Sequence, residues 1–251
     1  MTGAGWQTVP VAADDLGLRP LSARSVVLSL LLGSHPPELP ARGLVRGAER
    51  LGIAEQTLRV ALTRMVAAGD LVRTETGYRL TERLLRRQQR QDAALEPATR
   101  PWRGQWEIVV ITAVGRPAAE RAELRAELTE LRLAELRDGV WTRPANLRRE
   151  FPADPAGVTT RFVGRPDGDP HELVATLWDL PAWAERARRL QERFAAATDL
   201  ADRITVAAAI VRHLVADPVL PPALQPEDWP GRRLRAGYAR FRAELPGQLL
   251  V

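Results

Sequence analysis

Residues 55–66 hold the side chains best placed to do chemistry. Gln56, Thr57, Arg59, Thr63 and Arg64 fall on one side of this stretch, and its other side is apolar. Arginine can pair bidentately with the O6 and N7 of guanine, and glutamine with the N6 and N7 of adenine. No carboxylate follows Glu55 within the stretch. Further on, Arg73 and Arg79 flank Gly77 and add two cations within reach of phosphate. This is hydrogen-bonding and electrostatic chemistry, not bond-breaking chemistry.

The groups that catalysis requires are scattered. His35, His171 and His213 lie in separate segments, and each reads as a surface or capping residue. His171-Glu172 lacks the second histidine of a zinc-binding helix. There is no cysteine, which excludes disulfides, thiolate metal sites and cysteine nucleophiles. No glycine-rich phosphate loop and no nucleophile elbow occurs. Acids alternate with arginines, as in Glu120-Arg121 and Glu123-Leu124-Arg125, a pattern of solvated ion pairs. The expectation is a non-enzyme with no cofactor and no metal.

The elements that must position the polar face follow from periodicity. Leu58, Ala61, Leu62, Met65 and Val66 recur as one apolar face of a helix that ends at Gly69. Before it, Pro40 opens a helix through Leu44, Val45, Ala48 and Leu51, and the turn Leu51-Gly52-Ile53 joins the two. After it come a strand at Leu71-Val72, a turn with Gly77 where positive φ is expected, and a return strand through Tyr78, Leu80 and Thr81. Upstream, Leu21, Val26, Val27, Leu28, Leu30, Leu31 and Leu32 form a largely buried helix ending at Gly33, with His35-Pro36-Pro37 as a loop. Helix-turn-helix plus hairpin is a winged helix, whose second helix fits the major groove and whose wing lies on the backbone. The expected partner is double-stranded DNA.

At 251 residues the chain exceeds one winged helix, so two or three units are expected. All 36 basic residues are arginine, an abundance that a GC-rich genome also explains. Their placement is the better signal: residues 20–90 hold twelve arginines against six carboxylates, while the whole chain is +5. A locally basic module on a near-neutral body suits a phosphate surface. No apolar run is long enough to cross a bilayer and no secretory signal is visible, so a cytoplasmic location is expected.

Residues 1–19 read as a mobile tail, and residues 20–95 as the winged-helix unit. Residues 82–94 read as a polar helix, either a linker or part of a dimer contact, with its Arg and Gln run as a solvated face, and the prolines at 97 and 101 mark a boundary. Residues 102–178 then read as strand (106–111), helix (from Pro117), strand (134–142, with Asp138-Gly139 as a turn signal), a short helix (146–151), strand (158–163) and a last strand (173–178). That order predicts a ferredoxin-like α/β sandwich. Residues 179–251 are helical. The fold class is therefore α+β: an N-terminal winged helix-turn-helix, a central ferredoxin-like sandwich and a C-terminal helical domain.

Several of these motifs together resemble the PaaX-type regulators, the repressors of phenylacetic acid catabolism. Residues 52–71 look like that family's recognition helix and Gly77-Tyr78-Arg79-Leu80-Thr81 like its wing end. Trp102-Arg103-Gly104-Gln105-Trp106 resembles the opening of its central domain. Gly139-Val140-Trp141 with Pro144, Leu177-Trp178-Asp179-Leu180 and Asp228-Trp229-Pro230-Gly231 resemble later signatures. The resemblance implies a dimeric transcriptional repressor of an aromatic-acid catabolic or related operon, relieved by an aryl-acyl-CoA. It also implies a central domain similar to small CRISPR-associated nucleases. Such an effector asks for an apolar slot with cations near its phosphates. Trp102, Trp106 and Trp141 are the candidate walls, and Arg103, Arg143, Arg148 and Arg149 the candidate cations. Trp183, Leu190, Phe194, Tyr238 and Phe241 supply either core or the homodimer interface. The competing reading is an enzyme, a metal-dependent nuclease or an acyl-CoA thioesterase. A nuclease needs an acid at the end of the first central strand, where the sequence has Thr112-Ala113-Val114-Gly115.

Overall fold

The computed structural model describes residues 16–19, 21–151 and 157–249. It begins with α1 (Ala23–Gly33), in which Val26, Val27, Leu28, Leu30, Leu31 and Leu32 are all buried. A helix apolar on most sides must be covered on most sides. The helices α2 (Ala41–Arg50) and α3 (Glu55–Ala67) pack on it, and Leu58, Leu62 and Met65 are the inward face of α3. Val66, grouped with that face in the sequence, is 37% exposed because it sits at the rim of the apolar stripe. Gly69 has φ +70 and ends the helix as its type allows.

The wing has three strands: β1 (Glu38–Pro40), β2 (Leu71–Arg73) and β3 (Gly77–Leu80), in the order β1-β3-β2. The sequence predicts only the hairpin. At three residues, with proline at its end, β1 is too short to show a period. Its presence explains Gly77, whose φ is not positive: a Cβ there would collide with the carbonyl oxygen of Leu39. Helix α4 (Glu82–Leu95) follows, and it is more than a solvated helix. Its buried Gln88 donates to the carbonyls of Leu32 and Ser34 at 3.0 and 2.9 Å, meeting acceptors left open at the end of α1.

The central unit contains β4 (Trp106–Ile111), α5 (Ala118–Glu130), β5 (Ala134–Arg137), β6 (Val140–Pro144), β7 (Thr159–Gly164) and α6 (Pro170–Leu177). Its antiparallel sheet has the order β5-β6-β4-β7, the ferredoxin-like arrangement of an inner first and third strand. The single strand expected over 134–142 is a hairpin, β5 and β6, turned at Asp138-Gly139. Residues 146–151 form no helix: the amide of Arg100 donates to Asn146 O and that of Arg148 to Ala98 O, so this backbone pairs with residues 98–100. Residues 173–178 are not a strand. Asp169 caps and Pro170 opens α6, a strong helix start that outweighs the β-prone run behind it.

The C-terminal helices are α7 (Leu180–Ala195), α8 (Leu200–Val215) and α9 (Gly231–Leu249), with a 3-10 turn at Pro222–Leu224. Asp179 and Asp199 cap the first two. Ile204 and Ala207 of α8 and Phe241 of α9 lie in the same core as α1, α3 and β3. The winged helix and the C-terminal helices therefore share one apolar interior. Trp183, Leu190 and Phe241 are buried, which assigns them to core rather than to an open interface; Phe194 and Tyr238 are partly buried against the same core. His213 is buried too, stacked at 4.3 Å on Trp183, which itself stacks at 4.5 Å on Trp229. It is not a surface or capping residue. Within the expected tail, residues 16–19 are docked: Leu16 is buried, and the carbonyls of Leu16 and Gly17 accept from Arg186 and Arg212. Residues 1–15 lie outside the described residues.

Candidate nucleic-acid interface

The face of α3 opposite Leu58, Leu62 and Met65 is open. Gln56, Thr57, Arg59, Thr63 and Arg64 are all exposed on it. Their states differ. Arg64 makes no hydrogen bond or ion pair with any described side chain or carbonyl, so its five donors are free for a planar acceptor. Arg59 is held by Glu55, Nε to Oε1 at 2.8 Å, one helical turn away. Such an exposed pair contributes little stability, about 0.2–1 kcal/mol, so exchanging it for a base or phosphate is inexpensive. The Thr63 hydroxyl donates to the carbonyl of Arg59 at 3.0 Å and keeps only acceptor capacity. Val60, which the periodicity passes over, lies between Gln56 and Arg64 and is 41% exposed. An apolar side chain there suits a thymine methyl group.

An ion-pair clamp fixes this helix. Asp70, 2% exposed, accepts from Arg24 of α1 at 2.7 Å and from Arg83 of α4. The Thr81 hydroxyl donates to Gly69 O at 2.9 Å. The end of α3 is thus pinned to the helices on both sides of it. The only sequence trace of the clamp is an acid, Asp70, placed directly behind the helix-ending glycine.

The wing arginines part company. Val72 is opposite Arg79 in the β2–β3 ladder, and Arg73 is opposite Tyr78. By strand alternation, Arg73 and Arg79 project from opposite faces of the wing. Arg79 lies in the central strand, with Glu38 of β1 across from it. Both are exposed.

The central unit does not bring the candidate effector residues together. Trp141 is paired with Val109, while Trp106 is three residues before Val109 on β4. The two tryptophans therefore lie on opposite faces of the sheet. Trp106 packs with Trp102, Val174 and Leu180, and Trp141 with Val109, Leu128 and Leu133. Strand parity rules out a single slot walled by all three. Arg143 is fully buried and donates to Pro144 O, Arg132 O, Asn146 Oδ1 and Val219 O at 2.9–3.2 Å. Burial first, then Arg149 and Arg132 beside it, lower its pKa to about 9. Arg149 is held by Glu107 at 2.8 Å, while Arg103 and Arg148 are exposed. Arg143 is a bolt between the sheet and the loop at Val219.

A helix-turn-helix with an open cationic second helix, a three-stranded wing and a ferredoxin-ordered sheet behind it defines a two-part regulator architecture. Residues 22–84 match the model of PaaX-like protein, and residues 99–155 that of the PaaX protein central Cas2-like domain. The uncharacterized protein Rv0674 from Mycobacterium tuberculosis has a solved structure similar to this one. The two share 49% identity with a TM-score of 0.78, over 90% of this chain and 97% of that one. No curated protein matches the chain. The chain belongs to the PaaX-type family and is a PaaX-like regulator.

That family is one of transcriptional regulators, and nothing in the fold favours the enzyme reading. The acid on β4, Glu107, is buried against Arg149. Among the described residues, no three His, Asp or Glu side chains gather as a metal site would require. None of the described helices is long and apolar enough to cross a membrane.

Proposed function

We propose that this regulator is a sequence-specific DNA-binding repressor of the cytoplasm, which reads the major groove with α3. The observation that carries the reading is the outward face of α3. It joins the free Arg64, the loosely held Arg59, Gln56, Thr57 and Thr63 on a helix clamped through Asp70. Residues 20–95 contact DNA, while residues 102–178 and 179–251 form the body that a ligand addresses. The wing supplies Arg73 and Arg79 for phosphates. Replacing either with alanine lowers affinity for all sequences alike and reduces the salt slope by about one.

The repressor acts as a homodimer on paired half-sites, because one winged helix makes too little contact for strong operator affinity. With Trp183, Leu190 and Phe241 inside the core, the contact must use other surface. Phe162 and Val163, 54% and 61% exposed on the edge strand β7, are the most exposed large apolar residues of the central sheet. Light scattering at micromolar concentration is expected to give two chains' mass, and one chain's mass refutes the dimer.

The target is an aromatic-acid catabolic or related operon, and an aryl-acyl-CoA relieves repression. A regulator needs a second state that a ligand favours, and the family resemblance supports the aryl-acyl-CoA. The test is a gel shift on DNA upstream of the chain's own gene, with and without phenylacetyl-CoA. Retardation that phenylacetyl-CoA weakens supports both parts. Retardation that no aryl-CoA changes removes the effector, and no retardation removes the DNA reading.

A further inference from the structure

The junction of α4, α5, α8 and α9 contains two adjoining cavities. The inner one, about 140 Å³, lies between α1, α4, α8 and α9, with Leu28, Ile204 and Phe241 on its apolar side and Ser25, Ser29 and Gln91 adding polar groups. The outer one, about 450 Å³, opens beside it and is lined by Arg87, Arg90, Arg132 and Arg212. Arg87, Gln91 and Arg212 belong to both walls.

The charge here is unbalanced. Glu130 is the one carboxylate in the outer lining, and Arg90 already holds it. Arg212 donates to the carbonyl of Gly17 at 3.0 Å and pairs with no carboxylate among the described residues. Arg87 makes no hydrogen bond or ion pair with any described residue. Burial first, then neighbouring cations, lower the pKa of both: Arg24 and Arg90 act on Arg87, and Arg19, Arg186 and Arg87 act on Arg212. Asp70 offsets part of this at Arg87 but is itself held by Arg24 and Arg83; partly buried guanidinium groups that crowd one another with no acid bonded to them are costly unless an anion joins them. The inner chamber has its own signature. Its volume suits one aromatic ring against its apolar side, since a cavity of roughly 150 Å³ lined by apolar side chains accepts benzene.

We propose that this junction is the regulator's ligand site, built for a molecule that joins one aromatic ring to an anionic group. The ring enters the inner chamber, and the carboxylate attached to it, or the acyl oxygen of a thioester conjugate, faces Arg87 and Arg212, the conjugate's distant phosphates lying further out in the outer cavity. This rests on the ligand-regulated reading above and moves the site away from Trp102, Trp106 and Trp141. The location also explains coupling. Helix α4 carries Arg87, its Gln88 grips the end of α1, and its Arg83 shares Asp70 with Arg24 at the base of α3. A ligand wedged between α4 and α8 acts on the element that holds the reading helix. Only a ligand that favours one of two arrangements shifts the balance between them.

Calorimetry on the full chain tests this with phenylacetate, phenylacetyl-CoA and coenzyme A as separate probes. Either aromatic probe is expected to bind the parent protein, and comparison of the two tells whether a free carboxylate or a thioester conjugate is the source. Arg87→Gln and Arg212→Gln, which remove charge with little loss of volume, are each expected to weaken binding at least tenfold. Ala208→Leu, which fills the inner chamber, is expected to abolish it, while Arg103→Gln leaves it unchanged. No heat with either aromatic probe, or equal affinity in all variants, overturns the proposal. Coenzyme A binding as tightly as its aryl ester overturns the role of the inner chamber. Gel shifts of Arg212→Gln and Ala208→Leu without ligand keep the readings apart: these α8 variants retard DNA like the parent whether or not the junction is the site. Failure of the parent to retard DNA instead counts against the DNA reading.

Discussion

Arg64 on α3 and Arg143 on β6 carry the same guanidinium group under opposite conditions. Arg64 stands in solvent, free of partners among the described residues. Arg143 is fully buried and donates to four acceptors, three of them backbone carbonyls. The first is available to a ligand and contributes little to the fold; the second is committed to the fold and unavailable to any ligand. In a chain whose basic residues are all arginine, composition does not separate the two. The satisfaction of each donor does.

The contrast breaks first at Arg143. Arg143→Ala leaves a cavity and several carbonyls without donors, an expected loss of roughly 3–5 kcal/mol in urea unfolding. DNA affinity of the fraction that folds stays at the parent value. A small stability change with a loss of DNA binding reverses the assignment.

Arg64→Ala gives the mirror result. It costs about 1–3 kcal/mol at a specific site, with urea stability unchanged. Arg59→Ala is expected in the same range or below, because Glu55 competes for the group in free protein. Glu55→Gln sharpens this point. It removes the competitor and one negative charge facing phosphate, so affinity rises by about 0.5 kcal/mol, an amount typical of one exposed pair. Fluorescence anisotropy on one duplex measures all three, and an affinity that falls in Glu55→Gln contradicts the competition.

The smallest effect is a pH dependence in the body. Burial first, and Arg186 nearby, lower the pKa of His213 below its ordinary 6.5. The unfolded chain therefore binds the proton more readily, and stability rises with pH through the window at and below 6.5. Melting temperature is expected to drop from pH 7 to pH 5, and His213→Phe, which keeps the stack on Trp183, to flatten that slope. An equal slope in the variant assigns the effect elsewhere.

What could be read from sequence depended on range. Leu58, Leu62 and Met65 repeat within one helix, so α3 and its polar face were legible, as was the turn at Gly69. Strand β1 was not, since Glu38–Pro40 gains its identity only from pairing with Gly77–Leu80. The three-tryptophan slot failed for a related reason. Trp106 and Trp141 resemble each other in type, but their face is set by register, Val109 opposite Trp141, which no local pattern reveals. The Asp70 clamp and the Arg87–Arg212 junction join residues 46 and 125 positions apart, beyond the reach of any periodicity.

The central claim is that α3 reads bases in the major groove, and guanine-methylation interference tests it most directly. Duplexes that the protein itself selects from a random pool are methylated at guanine N7, sorted into bound and free, and compared for the parent and Arg64→Ala. The account predicts interfering guanines in two half-sites about one helical turn apart, with one guanine in each half-site losing its interference in Arg64→Ala. An identical pattern in the two proteins, or no interference at any major-groove guanine, contradicts it.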